Sequence, residues 1–180
     1  MNPLHPVLFL DVDGVLNTRT YLYEQKLKLD MPDALPAPPF SHRIDFEMDP
    51  ARVAVLNRIF DAVPNLQLVY STFWRGIDKV GEAGITRALD SHGFRYTERC
   101  IGITPTRKTE DGRPQEIANW FVDNPTFSGW AIVVDDCQGI AAFAVRSDRP
   151  FFPVVTSMDA GGLTDAHVDR LLEDIKALLP

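Results

Sequence analysis

The stretch VLFLDVDGVLN, residues 7–17, decides how the rest of the chain is read. Val7 to Leu10 is a short apolar run of strand formers that stops at Asp11 and reaches Gly14 three residues later, the pattern of a buried strand opening into a loop. We expect this first strand over residues 6–11. Aspartate is so frequent here that roughly two Asp-x-Asp triplets should arise by chance, so Asp11 and Asp13 carry meaning only through their context. That context is an apolar strand before the pair and a glycine after it.

Working outward, periodicity dissolves between Asn17 and Glu47, where Pro32, Pro36, Pro38 and Pro39 break any pattern, leaving an excursion with a short helix near Tyr21 to Lys28. Asp49 and Pro50 read as a capping side chain and a first-turn proline. The helix they open carries Val53, Leu56, Phe60 and Val63 on one face and ends near Pro64 and Asn65. Leu66 to Tyr70 reads as a strand running into Ser71 and Thr72, followed by a helix over Thr86 to His92 closed by Gly93 and a short strand at Cys100 to Ile103. A helix is expected over Pro114 to Val122, a strand over Trp130 to Val134 ending in Asp135 and Asp136, and another strand over Phe151 to Val155. Thr164 caps a last helix whose Val168, Leu171, Leu172, Ile175, Leu178 and Leu179 face the core. Alternation of this kind implies an α/β fold, a parallel sheet with helices on both faces.

The 180 residues suit one domain, residues 1–180, and 45% hydrophobic with 24% charged residues excludes disordered and fibrous classes. Eighteen Lys and Arg against 25 Asp and Glu leave a net charge of −7, which argues against general nucleic-acid binding. Cys100 and Cys137 are too few for a disulfide scaffold and wrongly spaced for a zinc knuckle, so a reducing cytoplasm is expected. The early apolar run is too short for a signal peptide or a membrane span, so the expectation is a soluble protein with no membrane partner.

In open parallel sheets the ligand site lies beyond the carboxyl ends of the strands. Three apolar strands end there in polar residues: Asp11 with Asp13, Ser71 with Thr72, and Asp135 with Asp136. Four carboxylates converging on one crevice need a cation. Oxygen ligands without histidine or thiolate select a hard ion, and Mg2+ fits best because it retains waters and takes only one or two carboxylates.

The sequence resembles the haloacid dehalogenase-like (HAD) hydrolases through DVDGVLN at 11–17, VYST at 69–72 and VVDD at 133–136. Within them it is similar to a small branch with TSWR-like second motifs, here STFWR, that is linked by domain context to RNA end repair. The resemblance implies a three-layer Rossmann-like sheet with a minimal cap, and a phosphomonoester phosphatase working through an aspartyl-phosphate intermediate. It implies that Asp11 is the nucleophile, Asp13 the acid/base and Ser71 the phosphoryl-binding hydroxyl, with Mg2+ held by Asp11, the Asp13 carbonyl and Asp135, and supported by Asp136. Matching on the tryptophan and arginine instead assigns Ser71's role to Thr72, so both hydroxyls stand. A basic residue that steadies the nucleophile is either Lys108 or Arg113, and Arg113 is favoured by its place directly before Pro114 at a helix start.

Trp74 and Arg75 could wall the pocket and bind a substrate anion, or be a packed tryptophan beside a surface arginine. His5, His42, His92 and His167 lack ligand spacing and read as surface or capping residues. Cys137 reads as small core packing, and Gly161 with Gly162 as a loop before the last helix. A non-catalytic phosphate-binding module or a receiver-like regulatory domain is the alternative, although a receiver resembles paired acids at its first strand and here the adjacent pair comes last. Residues 18–48 are the candidate for a small lid. An open site of this kind suits a small phosphorylated molecule or the phosphate end of a nucleic acid or protein.

Overall fold

A computed structural model of the protein describes residues 6–28, 48–77, 80–106, 112–127, 129–146 and 149–178. Among these residues five strands form one parallel sheet in the order β3-β2-β1-β4-β5, where β1 is Val7–Leu10, β2 Gln67–Tyr70, β3 Cys100–Ile103, β4 Ala131–Asp135 and β5 Phe151–Val155. Among the described residues six α-helices accompany it: α1 (Arg19–Lys28), α2 (Pro50–Ala62), α3 (Gly81–Ser91), α4 (Arg113–Asp123), α5 (Gly139–Arg146) and α6 (Asp165–Leu178).

The alternation of side chains along each strand divides the core in two. Leu8, Leu10, Leu68, Tyr70, Ile132 and Val134 face one cluster with Leu56, Phe60, Leu89 and Val168 from α2, α3 and α6. Val7, Phe9, Val69, Ala131 and Val133 face the other, with Ile117, Trp120 and Phe121 of α4 and Ile140 of α5. Both faces of the central strands are therefore apolar, which is why those strands read as unbroken hydrophobic runs. Pro153, which lacks an N–H for the ladder, sits in β5 at the sheet edge, where that lack is tolerated.

Most expected elements are present. Asp49 caps α2 by accepting from Ala51 N at 2.8 Å, and Thr164 and His167 cap α6 reciprocally. Two expectations need correction. The helix expected over Thr86 to His92 begins at Gly81, because Ile85, Ala88 and Leu89 on its inner face supply the burial that two glycines in its first turn do not signal. α5 was not expected at all; it lacks a capping signature and is held by packing of Ile140 and Phe143. Residues 29–47, most of the expected lid, lie outside the described residues, while 19–28 form the short helix α1. Among the described residues no helix is long and apolar enough to cross a membrane.

Candidate active site

The chain places β2 and β3 on one side of β1 and β4 and β5 on the other, so the direction of winding reverses between β1 and β4. Loops leaving adjacent strands at such a point part to opposite sides and open a crevice. Leu10 pairs with Val134 there, so the next residues, Asp11 and Asp135, stand side by side. The loop beyond Asp11 is braced from both flanks: Leu163 N donates to Val15 O at 2.9 Å and Asp49 N to Leu16 O at 2.8 Å. Gly162 makes the first approach possible, since a Cβ there would meet Val15 O at 2.6 Å.

Asp11 is buried, and its carboxylate accepts from Val12 N at 2.7 Å and, at 3.4 Å, from Arg113, while the Thr72 hydroxyl favours its charged form. Burial, then the charge of Asp135, pushes its pKa up to about 7 against the pull of those donors. Asp135 Oδ1 accepts from Cys137 N at 2.9 Å. Its Oδ2 lies 3.0 Å from Arg113 Nε without the alignment of a hydrogen bond, and so is buried without a hydrogen-bond donor. Burial raises the pKa of Asp135 despite Arg113, and raises that of Asp136 with help from the charge of Asp13.

Carboxylate oxygens of Asp11, Asp135 and Asp136 all lie within 4.8 Å of one another. Three hard oxygen donors, one from Asp135 whose buried Oδ2 has no hydrogen bond, fit a divalent cation of the magnesium class, and among the described residues no histidine or cysteine belongs to the group. The residues present thus match a hard-metal site.

Arg113, first residue of α4, meets three acids: Asp135 at 3.0 Å, Glu116 at 3.1 Å and Asp11 at 3.4 Å. Burial works against its charge, but Asp11, Asp135 and Glu116 together more than offset that and hold its pKa above the ordinary value. Lys108, the other basic candidate, lies outside the described residues. Of the two hydroxyls, that of Thr72 favours the charged form of Asp11, whereas Ser71 Oγ is 3.4 Å from Thr104 Oγ1. Asp13 is held at both oxygens, by Asn17 Nδ2 at 2.9 Å and by Trp74 Nε1 at 3.0 Å.

Arg75 is not a surface arginine. Its side chain is 3% exposed, pairs with Glu116 at 2.6 Å and donates to the Thr72 carbonyl. Burial lowers its pKa despite the charge of Glu116. Sequence reasoning missed Glu116, the acid shared by Arg75 and Arg113, and it missed Asn17 as a partner of Asp13. His92 bonds the Ala88 carbonyl at the end of α3 and His167 caps α6, while His5 and His42 lie outside the described residues. Cys137 is partly buried against the second core cluster.

No curated protein matches the sequence. Among solved structures, a haloacid dehalogenase-like hydrolase family protein from Streptococcus pneumoniae is similar over 100% of both chains, at 12% identity and a TM-score of 0.49. The HAD domain of the effector protein Lem4 from Legionella pneumophila is similar over 97% of this chain and 93% of its own, at 12% identity and a TM-score of 0.47. Neither carries weight at those values. The model of the HAD domain in Swiss Army Knife RNA repair proteins, however, matches residues 7–168, a span that begins with β1, takes in every strand and ends within α6. With the resemblance of DVDGVLN, STFWR and VVDD thus upheld over nearly the whole sequence, this chain belongs to the family of HAD domains found in Swiss Army Knife RNA repair proteins.

Proposed function

We propose that the protein is a magnesium-dependent phosphatase that hydrolyses a phosphomonoester through a phosphorylated Asp11. The observation that carries this reading is the meeting of Asp11, Asp135 and Asp136 within 4.8 Å at the sheet's switch point, with Arg113 3.4 Å from Asp11. A Mg2+ ion held by those carboxylates, with the Asp13 carbonyl, would offset the negative charge between nucleophile and phosphoryl oxygens.

An Asp11 carboxylate oxygen attacks phosphorus in line with the leaving oxygen, and the bond to the leaving oxygen breaks with its electron pair. Asp13, two residues on, gives that oxygen a proton, so an alcohol departs and an aspartyl phosphate remains. Water then attacks the same phosphorus while the Asp13 carboxylate takes its proton; the bond to Asp11 breaks and inorganic phosphate leaves. Arg113 stabilises the nucleophile and the transferred group. Thr72, whose hydroxyl favours the charged form of Asp11, is the better placed of the two hydroxyls to bind the phosphoryl oxygens.

The family's association with RNA repair makes the phosphate end of a polynucleotide a substrate to test beside small phosphomonoesters, with the acidic net charge weighing against tight binding of a long strand. Phosphate release should be measured with magnesium across sugar phosphates, nucleotides, phosphopeptides and end-phosphorylated oligonucleotides. Asp11→Asn is expected to abolish turnover with the fold intact and to prevent acid-quench trapping of labelled phosphate on the protein. Retention of half the wild-type rate would overturn the mechanism.

A further inference from the structure

We propose that Trp74 is a positioning residue for Asp13, holding the acid/base in line with the leaving oxygen; this role rests on the phosphatase reading above. Trp74 is fully buried, in a short 3-10 turn (Phe73–Gly76) that follows Thr72. Its neighbour Phe73 is 70% exposed, so the turn does not bury its aromatics indiscriminately. A buried indole has one polar group, the Nε1–H, which must find an acceptor. Here the acceptor is Asp13 Oδ2, at 3.0 Å.

The opposite oxygen of Asp13 is held independently. Asn17 Nδ2 donates to Asp13 Oδ1 at 2.9 Å, and Asn17 Oδ1 accepts from Gly14 N at 3.0 Å, which fixes which end of the amide faces the acid. Donors on both oxygens, arriving from two separate segments of chain, lock the plane of the carboxyl group. Each oxygen keeps a second lone-pair direction, so one remains available to the substrate. Proton transfer to a leaving oxygen depends on such alignment and contributes roughly 10²- to 10⁴-fold to rate, most where the leaving alkoxide is basic. An aryl phosphate with a nitrophenolate leaving group needs little help from an acid.

Trp74→Phe keeps the ring in the core and removes the N–H. The loss in kcat/KM on an alkyl phosphate is expected to exceed the loss on p-nitrophenyl phosphate by about ten-fold or more. In an Asp13→Asn background, Trp74→Phe should cost no further discrimination between those two substrates. A uniform loss on both, or the same discrimination lost in both backgrounds, would overturn the role and leave the phosphatase reading standing. Wild-type protein that releases no phosphate from any substrate would overturn both. The contact has its own readout should Trp74→Phe fail to fold: the indole N–H resonance assigned to Trp74 should shift in Asp13→Ala, and an unmoved resonance would overturn the proposal.

Discussion

Arg75 and Glu116 form an ion pair at 2.6 Å in which the arginine side chain is 3% exposed and that of the glutamate 10%. The pair ties the turn after β2 to the first turn of α4. Because Glu116 also holds Arg113 at 3.1 Å, it is the common counter-charge of two guanidinium groups, one of which reaches Asp11.

Removing the shared acid should therefore hurt more than removing Arg75. Glu116→Gln strands Arg75 in the interior, and an uncompensated buried charge typically costs about 3 to 5 kcal/mol. Arg75→Met leaves Glu116 paired with Arg113 and is expected to cost distinctly less. Urea unfolding of both variants checks the order; equal losses would mean that Glu116 is not the hub.

The raised pKa of Asp11 makes stability pH-dependent. In the unfolded chain this carboxyl titrates near its ordinary 3.8, and in the metal-free fold near 7. Between those values the folded state keeps a proton that the unfolded chain has released, so stability present below about pH 4 is lost as pH rises toward 7. Burial of Asp135 acts in the same direction. Asp11→Asn, which cannot ionise, should gain on wild type as pH rises, by about 1 to 3 kcal/mol at pH 8. Thermal melts of both proteins in chelator, from pH 5 to 8, test this; added magnesium should flatten the wild-type dependence, because a ligating carboxylate is already ionised.

These relationships show what the sequence could disclose. Leu8 and Phe9 serve opposite core clusters, so β1 had to be apolar throughout, and the acids at its end and at the end of β4 stood out against that background. Glu116 had no such background. On α4 it reads as an ordinary charge three residues from Arg113, and only the tertiary approach of Arg75 makes it a buried hub. The Trp74–Asp13 contact spans 61 residues and carries no sequence periodicity. Likewise Ser71 and Thr72 could not be separated along the chain, because only in the fold does the Thr72 hydroxyl favour the charged form of Asp11 while that of Ser71 meets Thr104.

Asp135 provides a direct test of metal dependence. Burial raises its pKa even beside Arg113, so removing the carboxylate relieves an electrostatic burden while deleting a ligand. Asp135→Ala is expected to fold at least as stably as metal-free wild type and to bind Mg2+ at least roughly 10- to 100-fold more weakly, the loss that even changes to groups behind the ligands commonly cause. Calorimetric titration with Mg2+ and activity in excess chelator measure the two halves. Full activity in chelator would remove the case for a metal-dependent enzyme.

Gly14 offers a way to disturb the cluster without deleting a ligand. Its φ of +71° is one that side-chain-bearing residues rarely adopt, and a Cβ there would lie 2.6 Å from Asp136 Oδ2 and 2.9 Å from Asp136 Cβ. The backbone on the Asp13 side is fixed by the bond from Gly14 N to Asn17, so residue 136 must yield, its backbone included because its Cβ is crowded. Gly14→Ala should therefore displace Asp136 from Asp11 and Asp135, at a stability cost of roughly 1–2 kcal/mol from the positive φ, with the clash in addition. The expected signature is a folded protein with weakened Mg2+ affinity and a magnesium optimum moved to higher concentration, and Asp136→Ala should mimic it. Should Gly14→Ala bind Mg2+ as wild type does, Asp136 would have no part in holding the ion, and the site would reduce to Asp11 and Asp135.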